Sequence, residues 1–197
     1  MGSSAKKNVH KFTYANYQTW PDGERWEIID GEAYDMTPAP SIAHQRIVRN
    51  LSAAMTSFFS GKACEPFITP TDVVLDDTNI VQPDVFIVCD KSKITKANIQ
   101  GAPDLAVEIL SPGTGRKDRR EKKVLYERFG VREYLLIHPE DETVERYSLV
   151  EGKYAGPDVF GWDETMRLFA FPELELQLWE VFGKEFPPAE GAESRDR

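Results

Sequence analysis

Apolar and polar positions divide the chain into segments of different period. Trp26–Glu–Ile–Ile–Asp–Gly–Glu–Ala–Tyr–Asp–Met36 sets two apolar runs on either side of Asp30–Gly31, a type I′ turn signal, and predicts a hairpin. Pro38–Ala–Pro–Ser41 then breaks the chain and offers Ser41 as a helix N-cap. Ile47, Val48, Leu51, Ala54, Met55, Phe58 and Phe59 recur at helical spacing, predicting an amphipathic helix over 42–59 that Gly61 ends. Three strand candidates follow, over 63–75, 84–89 and 105–110. A helix over 118–129 comes next, with Asp118 and Glu121 as a capping-box-like start and Gly130 as its stop. Glu133–Tyr–Leu–Leu–Ile–His138 reads as another strand, closed by Pro139. After Thr143 short strands and turns suggest a second hairpin layer ending near Phe182.

The order is a hairpin, a helix, three strands, a helix and a strand. It predicts an α/β (α+β) fold with a mixed sheet between two helices and additional β-hairpins. We expect one domain over 13–186, with 1–12 and 187–197 disordered. Its 197 residues and 41% hydrophobic content suit one domain with a real core. No apolar run is long enough to span a membrane, and no membrane partner is expected. Cys64 and Cys89 lie apart in strand-like contexts and read as buried free thiols, which points to the cytoplasm. The surplus aromatic residues Trp162, Phe169 and Trp179 suggest a homodimer surface.

Charge changes this picture locally. The net −9 argues against a sequence-blind nucleic-acid coat protein. Yet positions 113–132 hold eight Lys/Arg against three Asp/Glu, and Arg116, Lys117 and Arg119 are candidates for phosphate contact. A solvated helix face with ion pairs is the plainer reading of that strip.

Glu108 is the sharpest chemical signal, an acid inside Asp104–Leu–Ala–Val–Glu–Ile–Leu110. A carboxylate in a strand buried on both faces needs a cation, a hydrogen-bonding partner or a metal. Asp84 opens the preceding apolar strand, and Pro83 suits a strand's first position. Carboxylates on rigid strands suit Mg²⁺ or Mn²⁺, which take oxygen ligands and keep several waters. Asp104 shares the face of Glu108 by the two-residue period and is a candidate supporting acid. Lys122 falls in phase with Leu125, Tyr126 and Phe129, so it should turn toward the sheet while Lys117 and Lys123 reach solvent. Tyr126 on the same stripe is a supporting candidate. His44 lies on the buried face at a helix N-terminus, either as a backbone-bonded core histidine or as an active-site group. Glu32 and Asp35 are possible outer ligands, and ordinary surface acids otherwise.

Trp26–Glu–Ile–Ile–Asp–Gly–Glu32, His44, Gln82–Pro–Asp–Val85, Pro103–Asp–Leu–Ala–Val–Glu–Ile–Leu–Ser–Pro112, Asp118–Arg–Arg–Glu–Lys–Lys–Val–Leu–Tyr126 and Gly130–Val–Arg–Glu–Tyr134 follow one another in an order that resembles the Uma-two family of endonucleases. That family is similar to the PD-(D/E)xK, restriction-endonuclease-like fold. The likeness implies a metal-dependent nuclease with Asp84 and Glu108 as metal ligands and nucleic acid as substrate, DNA favoured over RNA. The superfamily's lysine stands two residues after the glutamate, where this chain has Leu110. The resemblance implies that the lysine has moved to the next helix, at Lys122. A catalytically silent nucleic-acid- or protein-binding module on the same scaffold is the alternative.

Overall fold

The computed structural model describes residues 11–21, 23–36, 40–111 and 115–185. The predicted disorder of 1–12 and 187–197 therefore falls almost wholly outside the described residues, as do the Pro38–Ala39 break and Pro112–Thr114.

Helix α1 (Tyr14–Tyr17) leads into the hairpin β1 (Trp26–Ile29) and β2 (Glu32–Asp35). Asp30 and Gly31 both have positive φ, 50° and 82°, as a type I′ turn requires. Helix α2 (Ile42–Phe59) starts at Ser41, whose hydroxyl accepts the backbone N–H of His44 at 3.2 Å. It buries Ile47, Val48, Leu51, Met55 and Phe59 on one face.

The expected strand over 63–75 is two strands, β3 (Glu65–Ile68) and β4 (Val73–Asp76), which belong to different sheets. The strands β5 (Asn79–Val81) and β7 (Ile99–Gln100) were not predicted; three and two residues are too short to show a period. Strands β6 (Val85–Val88), β8 (Leu105–Ile109) and β9 (Glu133–His138) occur as read. The late hairpin is β10 (Thr143–Val150) with β11 (Lys153–Gly161), followed by β12 (Thr165–Arg167), β13 (Glu175–Gln177) and helix α5 (Leu178–Phe182).

A six-stranded mixed sheet runs β11-β10-β9-β8-β6-β3, with β8 and β9 parallel. The late hairpin thus extends the central sheet as its edge and does not form a separate layer. One face carries α2, the β12–β13 ribbon and α5 over Val85, Ile87, Val107, Leu135 and Ile137. The other carries a second sheet, β2-β1-β5-β4-β7, and the helix after β8, packed on Phe86, Ala106, Tyr134 and Leu136. Every residue of β8 is buried because both faces are covered. Trp162 packs against the first core and Trp179 is partly buried, so neither is a surplus exposed ring; Phe169 remains 43% exposed.

The helix expected over 118–129 begins earlier and is not regular. Helix α3 (Gly115–Lys117) runs into a π turn at Asp118–Lys122 and then α4 (Lys123–Arg128). Asp118 is consequently a buried interior residue and not a cap.

Cys64 and Cys89 form a disulfide, which corrects the expectation of free thiols. Strands β3 and β6 are antiparallel with Glu65 opposite Val88, so the next pair outward is Cys64 and Cys89. Linear sequence could not show that pairing, and the argument for a reducing compartment loses its basis.

Candidate active site

Strand β6 pairs antiparallel with β8, Val85 opposite Val107, so one further step sets Asp84 opposite Glu108 at the end of both strands. Asp84 is partly exposed, with 15% of its side chain accessible, against 5% for Glu108. Its Oδ2 accepts the backbone N–H of Ile109 at 2.8 Å and lies 3.1 Å from His44 Nε2. His44 thereby joins the site through Asp84, while its buried Nδ1 has no hydrogen-bond partner among the described residues.

Lys122 is buried, and its Nζ lies 2.8 Å from Glu108 Oε1. The Tyr126 hydroxyl donates to the same oxygen at 2.9 Å. Both contacts follow from the helical stripe that faces the sheet, the first of them as expected. Lys123 is only half-exposed, its Nζ 4.7 Å from the Tyr147 ring centroid, rather than reaching fully into solvent.

The missed residue is Glu27. It is fully buried on β1, accepts the backbone N–H of Gln82 at 3.0 Å, and lies 2.6 Å from both Lys122 Nζ and Lys117 Nζ. Its signal was the same as that of Glu108, an acid between Trp26 and Ile28, but the hairpin's alternation disguised it as a surface position. Lys117 was expected in solvent and is mostly buried on Glu27 instead. The cause is the π turn. At about 100° per residue, five α-helical residues would separate Lys117 from Lys122 by about 140°. The i→i+5 turn absorbs the extra residue and stacks the two ammoniums on one carboxylate.

Other candidates fall away from this cluster. Asp104 shares the face of Glu108 but stands four residues earlier, about 13 Å along the strand; its Oδ2 accepts the Cys89 N–H at 2.8 Å. Glu32 is exposed and accepts from the Tyr34 hydroxyl at 3.1 Å. Arg116 and Arg119 are exposed beside the site, Arg119 with Nη2 3.0 Å from His138 Nδ1.

The electrostatics show a surplus of negative charge. Burial raises Glu108 well above the usual carboxyl range; Lys122 offsets this only in part, and Asp118, Asp84 and Glu27 add to it. Burial would also raise Glu27, but Lys122 and Lys117 outweigh it and hold that carboxyl low. Burial acts against the Lys122 ammonium, yet Glu108, Glu27 and Asp118 (3.6 Å away) keep it firmly protonated. Among the described residues no group of three or more His, Cys, Asp or Glu side chains forms a metal cage. The donor set is two carboxylates, and Asp84 Oδ1 and Glu108 Oε2 accept no hydrogen bond among the described residues. Two open carboxylate oxygens in an over-negative site fit a hard divalent cation that keeps its own waters.

The sheet, its flanking helices and this cluster define a nuclease-like α+β protein. The family model for Uma2, described as "Putative restriction endonuclease", matches residues 14–178, and the chain belongs to that family. An uncharacterised protein of Synechocystis sp. (strain ATCC 27184 / PCC 6803 / Kazusa), slr1290, is 29% identical over 143 residues, covering 70% of this chain and 74% of that one. The crystal structure of a "putative nuclease belonging to DUF820" from Anabaena variabilis ATCC 29413 superposes with a TM-score of 0.71, covering 87% of this chain and 98% of that chain. At 21% identity that likeness is one of fold.

Proposed function

We propose that the protein is a Mg²⁺- or Mn²⁺-dependent endonuclease that hydrolyses phosphodiester bonds, with DNA favoured over RNA. The observation that carries this reading is the meeting of Asp84, Glu108 and Lys122 at one end of the β6–β8 pair. Asp84 Oδ1 and Glu108 Oε2 would hold the ion. When bound, it would polarise a phosphoryl oxygen and lower the pKa of a coordinated water for in-line attack. His44 and the Ile109 N–H fix Asp84 through Oδ2. Lys122 and Tyr126 hold Glu108 through Oε1, which leaves Oε2 without a hydrogen bond among the described residues. Lys122 is 1% exposed, so its role is to orient Glu108 and balance its charge beside the reacting phosphate.

One observation favours the alternative, a silent binding module on the same scaffold. The Lys122 ammonium is engaged by Glu27 as well as Glu108, which would also serve folding alone. Calorimetric titration with Mn²⁺ separates the two. We expect one site in the wild type, and its loss in Asp84→Asn and in Glu108→Ala. Equal heats from all three proteins would refute the metal centre.

A further inference from the structure

His138 ends β9 on the same sheet face as Glu108, and the β8–β9 register sets it beside Leu110, two residues beyond Glu108. It is a buried histidine that the proposed chemistry does not use. Its Nδ1 is 3.0 Å from Arg119 Nη2, and its Nε2 is 3.1 Å from Glu145 Oε1. A guanidinium can only donate, so Nδ1 accepts from Arg119, while Nε2 makes no hydrogen bond among the described residues although Glu145 Oε1 lies nearby. Glu145 is held in turn by the Tyr147 hydroxyl, which donates to Oε2 at 2.8 Å. Asp141 Oδ2 also lies 3.6 Å from His138 Nδ1.

This contact ties down one exposed arginine of the basic strip, whose Lys117 and Lys122 are already engaged by Glu27 and Glu108. Arg119 Nη1 lies 3.7 Å from where a Cβ on Gly115 would stand, and Leu110 Cβ is 3.9 Å from the same point. Arg119 and Leu110 thus both border Gly115, and Leu110 stands about 7 Å along the strand from Glu108. The hydrogen bond to Nδ1 engages one terminal nitrogen, and no ion pair between Arg119 and a carboxylate occurs among the described residues. A planar donor tethered at one nitrogen, with its other N–H groups available, suits a phosphate oxygen.

We infer that Arg119 is a pre-organised phosphate contact for the nucleic-acid strand flanking the cleaved bond, and that the buried His138, which accepts from it, is its positioning residue. The inference rests on the nuclease reading and names how that site grips its substrate. Fixing the guanidinium beforehand removes the ordering cost that a free surface arginine meets on binding.

The test is fluorescence anisotropy of a labelled DNA duplex with the full chain in EDTA, over a series of salt concentrations. Arg119→Ala should weaken binding about tenfold, the worth of one charge-assisted hydrogen bond, and lower the salt slope by about 1. His138→Phe keeps the ring volume but removes the acceptor and should weaken binding similarly. The double variant should bind no worse than Arg119→Ala alone, because both changes remove one contact. His138→Asn, whose amide oxygen stands near the Nδ1 position, should restore most of the affinity. Additive losses, or a His138→Phe variant that melts earlier yet binds as tightly as the wild type, would overturn the positioning role. Unchanged affinity in Arg119→Ala would overturn the contact itself. A wild type that binds no DNA would overturn both this inference and the nuclease reading, whereas DNA binding without cleavage counts against the nuclease reading alone.

Discussion

Buried acids divide into two kinds here, and their partners separate them. Glu133 is fully buried, but both its oxygens accept backbone N–H groups, from Phe169 at 3.0 Å and Ala170 at 2.8 Å, so it ties a loop to the start of β9. Glu108 and Glu27 instead share one buried ammonium, and Glu108 keeps an oxygen open. Removing Lys122 would leave both acids buried beside fewer positive charges. Lys122→Ala should therefore cost about 3–5 kcal/mol of folding stability, whereas Lys123→Ala, which loses only a half-exposed ring contact, should cost about 1 kcal/mol or less. Urea denaturation of the two variants checks this, and equal costs would contradict the pairing. Glu108 and Lys122 were legible in sequence because an acid in an apolar strand and a lysine in an apolar helical stripe both break a period. Glu27 broke a period too, but its strand is four residues long and sits in a hairpin, where alternating acids are ordinary.

At the scale of elements, the long amphipathic helix and the apolar strands were legible because their periods run long enough to count. The π turn was not, since nothing in Asp118–Arg–Arg–Glu–Lys122 distinguishes it from an α-helical turn, and it alone reversed the expected direction of Lys117. The pairing of β3 with β6 was equally hidden, because cross-strand register is a non-local property, and with it went the disulfide. That bond closes a sequence separation of 25 residues and ties an edge strand to the strand that Asp84 opens. Reducing it should lower stability by about 3 kcal/mol through the freed unfolded chain. Urea midpoints with and without reductant measure the effect. An unchanged midpoint, or a native mass showing two free thiols, would contradict the bridge.

For the whole molecule, the succession of helices and strands was enough to give the class of fold but not its layering. Local alternation shows that β10 and β11 form a hairpin, yet only the pairing of β10 with β9 makes that hairpin the continuation of the central sheet. The second sheet joins the predicted β1–β2 hairpin to β4, β5 and β7, strands of two to four residues too short to show a period and more than 35 residues further along the chain. Together these layers bury β8 on both faces and bring Glu108, near its end, to the partly exposed Asp84. The central claim is that this end hydrolyses phosphodiesters with a divalent ion. It is tested most directly by incubating supercoiled plasmid with the wild type, Asp84→Asn and Glu108→Gln in Mg²⁺, in Mn²⁺ and in EDTA. The expected result is nicked and linear DNA from the wild type with either metal, none in EDTA, and none from either folded variant. Cleavage that survives EDTA or either substitution, or an intact plasmid beside a wild type that binds Mn²⁺, would contradict it.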